Sequence, residues 1–140
     1  MAMIGVGGQG TYDMTQFLAF PEIQVIAVCD VNKTCDYTKF YFGGSKGWKP
    51  ALEQVNTFYS QERKVENYKG CQAFIDFYEM LDEVSDIDAV SIATTDSLHA
   101  FAAMAAINKG KHVYCQKPLT HSIWEARQLT LAARKKGVMS

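Results

Sequence analysis

The stretch Met3-Ile4-Gly5-Val6-Gly7-Gly8-Gln9-Gly10 decides the fold of this chain. A short apolar strand runs directly into the glycine pattern G-x-G-x-x-G. A second apolar run over 23–29 then ends in Asp30, twenty residues after Gly10. A strand, a glycine-rich turn, a helix start and an acid at this spacing are typical of a βαβ unit that binds a dinucleotide.

Each part of this pattern has a physical reason. Gly5 permits the tight turn, Gly7 lets the backbone approach a pyrophosphate, and Gly10 lets the following helix pack closely on the sheet. Backbone N–H groups at the helix start, together with the helix dipole, neutralise phosphates. The Asp30 carboxylate can accept both ribose hydroxyls and would repel a 2′-phosphate, so the sequence favours NAD over NADP. An S-adenosylmethionine-dependent methyltransferase, which has a similar first loop and acid, is the alternative that this segment leaves open.

The composition indicates an ordinary globular domain. The chain has 140 residues, of which 48% are hydrophobic and 21% charged, with a formal net charge of −1. This balance excludes the strongly basic profile of a nucleic-acid-binding protein and the low hydrophobicity of a disordered chain. No apolar run approaches the length of a membrane span. We therefore expect one domain over 1–140, with neither a nucleic acid nor a membrane as partner.

The cysteines do not indicate a metal site or a disulfide framework. Cys29, Cys35, Cys71 and Cys115 form no C-x-x-C pair and no zinc-like spacing with the three histidines. A reducing, cytoplasmic location is the expectation. Both ends of the sequence look cut, so we also expect a truncation before a further domain. A periplasmic location would follow if an upstream signal had been removed.

Strand and helix patterns alternate along the chain, which predicts a doubly wound parallel sheet with helices on both faces, the Rossmann fold. The expected strands lie at 1–6, 24–29, 71–75, 89–93 and 112–115, and the expected helices at 8–19, 32–41, 77–82, 97–108 and 122–137. An inserted helical segment is expected at about 45–69, with Pro50 at its helix start. Its apolar positions predict a surface helix with an apolar inner face, and a lid or partner-binding role for Trp48 is the alternative.

Two segments of the second half carry a family resemblance. Thr94-Thr95-Asp96-Ser97-Leu98-His99 is similar to a T-P-x-x-x-H motif, and the run from Gly110 to Leu119 is similar to G-K-H-V-x-x-E-K-P. With the opening glycines and Asp30, these segments resemble the N-terminal domain of the Gfo/Idh/MocA oxidoreductases. A methyltransferase has no reason to carry the Lys-Pro element. Two positions depart from the family pattern: Thr95 stands where proline is usual, and Gln116 stands where glutamate is usual.

The resemblance implies a role for each matching residue. Lys117 is the implied catalytic residue, projecting from the fifth strand toward the nicotinamide and the substrate hydroxyl, where its charge would stabilise alkoxide-like oxygen. His99 is expected near the cofactor, or alternatively as a residue that caps its helix start. The cofactor-binding residues that motif and resemblance together indicate are Gly5, Gly7, Gly8, Gln9, Gly10, Asp30, Val31, Thr94, Thr95, Asp96, His99, Gln116 and Lys117.

The activity that the resemblance implies is an oxidoreductase reaction. The chain would be the NAD-binding domain of an enzyme that transfers a hydride between a sugar, polyol or related hydroxylated substrate and the nicotinamide. The alternatives within the same superfamily are an NAD-dependent glycoside hydrolase and a non-catalytic NAD-binding regulator. In this family the proton-transfer residues belong to a C-terminal domain, so the fragment alone is expected to be inactive and the full-length protein to form a homo-oligomer.

Overall fold

The computed structural model describes residues 1–64, 66 and 68–140. The chain forms a five-stranded sheet, a two-stranded ribbon and five α-helices within these residues. The strands are β1 (Ala2–Ile4), β2 (Ala27–Cys29), β3 (Cys35–Asp36), β4 (Ser45–Lys46), β5 (Gln72–Phe74), β6 (Ala89–Ile92) and β7 (His112–Cys115). The helices are α1 (Gly8–Leu18), α2 (Trp48–Thr57), α3 (Phe77–Glu83), α4 (Asp96–Asn108) and α5 (Ile123–Lys136).

The large sheet is parallel throughout and has the strand order β5-β2-β1-β6-β7. The central strand β1 pairs with β2 on one side and with β6 on the other. The chain first builds outward through β2 and β5, and then returns to build outward in the other direction through β6 and β7. Such a reversal opens a crevice at the carboxyl ends of β1 and β6, the place where open α/β sheets bind ligands.

Helices cover both faces of the sheet, as the alternating patterns predicted. On one face, α3, α4 and α5 contribute buried residues such as Met80, Ile107 and Leu129. On the other face, α1 and α2 bury Met14 and Val55 against the strands. The doubly wound architecture is therefore confirmed. None of the described helices is both long enough and apolar enough to cross a membrane.

The last helix begins and ends where the sequence predicted. The Ser122 side chain accepts a hydrogen bond from the Glu125 N–H, and the Glu125 carboxylate accepts one from the Ser122 N–H, which completes a capping box. Gly137 ends the helix in the left-handed region, at φ 70°, a conformation that glycine adopts without a Cβ clash.

The helix predicted over 32–41 is wrong. The chain instead forms the antiparallel ribbon of β3 and β4, whose turn is closed by a hydrogen bond from the Tyr37 N–H to the Gly44 oxygen. The Asp30 carboxylate accepts a hydrogen bond from the Asn32 N–H, so the polar residue after β2 directs a turn instead of starting a helix. Gly43 and Gly44, with φ values of 56° and 70°, form the turn that brings the chain back to β4.

Helix α2 lies within the segment predicted to be helical and has the expected apolar inner face. It begins at Trp48, two residues before Pro50, and continues into a π-helical turn over Phe58–Glu62. Ala51 and Val55 are buried where α2 packs on β2 and β5. Tyr59, in the π-helical turn, is also buried, and its hydroxyl accepts a hydrogen bond from the Val25 N–H. This segment therefore supplies the crossover helix between β2 and β5.

Candidate functional site

A cleft of about 600 Å³ lies at the carboxyl ends of the central strands. Among the residues that the sequence indicated, Gly5, Gly7, Gly8, Gln9, Asp30, Val31, Thr94 and Thr95 line it. The remaining lining residues are Ile4, Cys29, Asn32, Tyr37, Phe42, Ile75, Asp76, Phe77, Tyr78, Ala93 and Leu98. Of these, Ile75 and Asp76 could have been found from their position just after a predicted parallel strand, since strand ends gather at one edge of the sheet.

The glycine turn is pressed between α1 and the end of β6. Gly5 has a φ of 80°, and a Cβ there would lie 2.7 Å from the Ala93 carbonyl carbon. A Cβ on Gly10 would overlap the Gly5 carbonyl oxygen and would lie 3.1 Å from the Ala93 Cβ. Gly10 therefore lies beneath the turn and not in the cleft, and its role is the close helix packing that the sequence pattern predicts.

The start of α1 suits a negatively charged group. Its N-cap is Gly7, which offers no capping side chain, and the first turn contains no acidic residue. The N–H groups of a first helical turn have no partner within the helix, and the helix dipole adds partial positive charge there. Because Gly7, Gly8 and Gln9 line the cleft, this part of the cleft fits a phosphate or diphosphate.

Asp30 lines the same cleft, and its carboxylate is held by the backbone. One carboxylate oxygen, Oδ2, accepts a hydrogen bond of 2.9 Å from the Val6 N–H in the glycine turn. The other oxygen, Oδ1, accepts one of 2.9 Å from the Asn32 N–H. Since each carboxylate oxygen can accept a second hydrogen bond, the side chain remains able to bind a diol while its own position is held by the backbone.

Two aromatic side chains from the β3–β4 ribbon cover the glycine turn. A Cβ on Gly8 would lie 2.7 Å from the Phe42 Cε2 atom, and a Cβ on Gly7 would lie 3.0 Å from the Tyr37 Oη atom. A ligand that needs the space over the start of α1 therefore requires the Phe42 ring to turn aside. Because the sequence pattern predicts a helix over 32–41, it gives no signal for Tyr37 or for the neighbouring Phe42.

The loop after β6 leads into α4, which begins at Asp96. Asp96 is exposed and does not line the cleft. His99 is buried and also lies outside the cleft: its Nδ1 atom is 2.6 Å from the Pro118 oxygen and its Nε2 atom is 3.2 Å from the Thr94 oxygen. His99 therefore links the loop after β6 to the loop after β7.

Gln116 and Lys117 follow β7 and do not line the cleft. The Gln116 Nε2 atom donates a hydrogen bond of 2.7 Å to Asp13 on α1. Lys117 is exposed and precedes a cis peptide bond to Pro118. The structure thus groups the glycine turn, Asp30 and the loop after β6 around one cleft, and it places Gln116 and Lys117 at the neighbouring strand end.

Cys29 is the cysteine that lines the cleft. Burial, and secondarily the nearby Asp30 carboxylate, raises the pKa of its thiol to about 12. A thiol that stays protonated at neutral pH is a poor nucleophile, so Cys29 contributes packing to the cleft wall. Within residues 1–64, 66 and 68–140, no group of three or more His, Cys, Asp or Glu side chains could hold a metal ion.

Comparisons with known proteins agree with this geometry. Residues 48–140 match the family model GFO_IDH_MocA, described as an oxidoreductase family with an NAD-binding Rossmann fold. The chain is 48% identical over 54 residues to 1,5-anhydro-D-fructose reductase of Ensifer adhaerens, a match that covers 39% of this chain and 16% of that protein. It is 38% identical over 73 residues to scyllo-inositol 2-dehydrogenase (NADP(+)) IolU of Bacillus subtilis (strain 168), a match that covers 51% of this chain and 22% of that protein.

A solved structure shares the fold over nearly the whole chain. The WlbA dehydrogenase from Bordetella pertussis, in complex with NADH and UDP-GlcNAcA, superposes with a TM-score of 0.68 at 18% identity. The match covers 98% of this chain and 34% of that structure. The chain thus spans less than a quarter of the two curated relatives and about a third of the solved structure. With the family model matched over most of its length, the chain belongs to the Gfo/Idh/MocA oxidoreductase family and forms its NAD(P)-binding Rossmann fold.

Proposed function

We propose that residues 1–140 form the NAD-binding domain of an oxidoreductase that transfers a hydride between the cofactor and a hydroxyl group of a sugar or polyol. The observation that carries this proposal is the Asp30 carboxylate, which lines the cleft and is held by the Val6 N–H of the glycine turn. A carboxylate beside a glycine turn that precedes a helix combines a diol acceptor with a diphosphate site.

The residues of the cleft divide the binding of a dinucleotide between them. The N–H groups at the start of α1 would hold the pyrophosphate, because Gly7 adds no side chain between them and the ligand. Asp30 would accept the two hydroxyls of the adenosine ribose. When bound, NAD would supply the hydride acceptor, and these residues would orient it.

The charges around the cleft favour NAD over NADP. The cleft-lining residues include Asp30 and Asp76 but no lysine or arginine within the part of the chain described. Lys33 lies close to Asp30 in sequence, yet its Nζ atom lies over the Trp48 ring, 5.6 Å from the ring centroid. A 2′-phosphate at this position would meet a carboxylate without a compensating cation, which electrostatics disfavours.

Lys117 is the proposed catalytic residue. It follows β7 at the carboxyl end of the parallel sheet, the edge where open α/β sheets bind their ligands. Its exposed ammonium group could donate a hydrogen bond to the substrate hydroxyl and stabilise alkoxide-like charge as the hydride leaves. The names of the two curated relatives, a reductase of anhydrofructose and a dehydrogenase of inositol, support a polyhydroxylated substrate.

Calorimetric titration of the chain with NAD⁺ and with NADP⁺ tests the proposal. We expect NAD⁺ to bind more tightly than NADP⁺. Asp30→Asn should weaken NAD⁺ binding by about tenfold or more, because a hydrogen bond to a charged acceptor contributes about 1.5–3 kcal/mol. Asp30→Asn should also narrow the difference between the two cofactors, since the carboxylate no longer repels the 2′-phosphate.

Asp86→Asn is the matched control. This variant removes the same charge from a loop before β6, at the opposite edge of the sheet, where Asp86 accepts a hydrogen bond from the Ser85 hydroxyl. It should bind both cofactors as the wild type does. An absence of binding heat in the wild type, or equal affinities in wild type and Asp30→Asn, would contradict the proposal.

A further inference from the structure

Asp13 on α1 is a buried acid that the proposed reaction does not use. It is 7% exposed, and neither ion pair found in the described part of the chain includes it. We propose that Asp13 is a positioning residue: its carboxylate clamps Gln116 at the end of β7 and thereby fixes Lys117 relative to the glycine turn. The inference rests on the proposed function, because it concerns the nicotinamide end of that site.

The carboxylate of Asp13 joins two distant parts of the chain. Its Oδ1 atom accepts a hydrogen bond of 2.7 Å from the Gln9 side chain, in the first turn of the same helix. Its Oδ2 atom accepts one of 2.7 Å from the Gln116 side chain, which is 103 residues away in sequence. Since an ionised carboxylate only accepts, both glutamines must present their amide N–H groups to it.

Burial makes these two hydrogen bonds important. A carboxylate removed from water is costly unless charge-assisted hydrogen bonds compensate it. The two amides supply that compensation without a positive charge. The hydrogen bond that joins α1 to the end of β7 therefore requires the amide N–H of Gln116 as its donor.

The clamp gives a physical reason for the departure from the family pattern at position 116. A glutamate there would face Asp13 with a second carboxylate, at a distance where like charges strongly repel each other. Glutamine replaces that repulsion with a hydrogen bond. We therefore infer that Asp13 and Gln116 form a matched pair, in which the amide suits the buried acid.

The consequence for Lys117 follows from its place directly after Gln116. The Gln116 backbone N–H donates a hydrogen bond of 2.9 Å to the Ile92 oxygen of β6, while its side chain is held by Asp13 on α1. The end of β7 is thus fixed to both β6 and α1. Lys117 leaves the sheet from this fixed point, and Gln9, which shares the carboxylate, lines the cleft.

An exchange of donor and acceptor tests the pair. The variants are Gln116→Glu, Asp13→Asn, and the double variant that carries both. In the double variant, the amide introduced at position 13 can still accept from Gln9 through its oxygen, while its N–H can donate to the carboxylate introduced at position 116. We would measure the thermal unfolding of the wild type and of the three variants. Each protein would also be titrated with NAD⁺ and with ADP-ribose, which lacks the nicotinamide.

Gln116→Glu alone should weaken NAD⁺ binding by at least about fivefold, within the range for directly coupled neighbours. It should weaken ADP-ribose binding less, because the clamp acts at the nicotinamide end. The double variant should recover both the NAD⁺ affinity and the unfolding temperature of the wild type. If the pair served stability alone, Gln116→Glu would lower the affinities for NAD⁺ and for ADP-ribose equally.

The outcomes separate the inference from the proposed function. If the wild type binds neither ligand, the proposed function is wrong, and the positioning role falls with it. If the wild type binds NAD⁺ but the double variant is no better than Gln116→Glu, the matched pair is refuted. Equal losses of NAD⁺ and ADP-ribose affinity in Gln116→Glu would refute the positioning role while leaving NAD binding intact.

Discussion

The substitution Gly10→Ala tests whether the close packing of α1 on the glycine turn is a steric requirement. A Cβ at this position would overlap the Gly5 carbonyl oxygen, lie 2.9 Å from the Gly5 carbonyl carbon and 3.1 Å from the Ala93 Cβ. The nearest of these atoms belong to backbone that is buried, so they cannot rotate away as a flexible side chain would. The start of α1 must therefore move away from the ends of β1 and β6.

The size of the effect follows from two opposing terms. Overpacking of a buried site costs typically about 1–3 kcal/mol, and rigid backbone neighbours place this case at the upper end. Alanine is favoured over glycine within a helix by about 1 kcal/mol, which offsets part of that cost. We expect the free energy of unfolding to fall by about 2 kcal/mol, and NAD⁺ binding to weaken because the N–H groups of the first turn are displaced.

Urea denaturation gives the free energy of unfolding, and calorimetry gives the affinity for NAD⁺. Gly8→Ala is the matched control, since it makes the same change in the same helical turn. Its Cβ would meet the Phe42 ring, at 2.7 Å from Cε2, and this partly exposed ring can turn into solvent. Gly8→Ala should therefore cost less stability than Gly10→Ala. A Gly10→Ala protein as stable as the wild type, or a Gly8→Ala protein that is the more destabilised of the two, would refute a steric requirement at Gly10.

Two further predictions concern the cleft wall. Phe42→Ala should raise NAD⁺ affinity about two- to tenfold, because a ring that covers the competent site lowers apparent affinity by the fraction of time it is in place. The control is Phe40→Ala, on the same ribbon and 64% exposed, which should change the NAD⁺ affinity little. If Phe42→Ala instead lowers the NAD⁺ affinity, and Phe40→Ala does not, the Phe42 ring contacts the ligand and does not block it. The second prediction concerns the Cys29 thiol, because burial raises its pKa from 9.0 to about 12. Above pH 9 the thiol loses its proton in the unfolded chain but keeps it in the folded chain. The free energy of unfolding should therefore fall between pH 9 and 12. Cys29→Ala should make the free energy of unfolding, measured by denaturation at each pH, depend less steeply on pH in this range. An unchanged dependence on pH would contradict the raised pKa of Cys29.

Local patterns in the sequence were sufficient for the frame of the molecule. The glycine turn, Asp30 and the last helix, predicted over 122–137, depend on residues a few positions apart, or on a spacing set by one strand and one helix. Such features are governed by backbone geometry and by alternating hydrophobicity, which can be predicted without knowledge of distant contacts. The parallel sheet and its binding edge follow from them.

The sequence pattern was misleading at Asn32, a residue that is compatible with both a helix start and a turn. Asn32 can cap a helix, but its N–H also fits the turn in which it donates to Asp30, and the glycines at 43 and 44 favour the ribbon. The choice between the two depends on contacts outside the segment. Phe42 reaches Gly8 only because the ribbon folds back over the turn, so this cover of the cleft could not be predicted.

The sequence by itself determined the fold class, the glycine turn and the acid at position 30, because each is encoded by neighbours in the chain. Only the tertiary structure decided the contacts of Asp13 with Gln116 and of His99 with Pro118. The first contact joins α1 to the end of β7, and the second joins α4 to the residues after β7. A hydrogen bond between residues far apart in the chain produces no periodic pattern in the sequence. The physical reason is that long-range partners are selected by packing of the whole sheet, whereas turns and caps are selected by local backbone conformation.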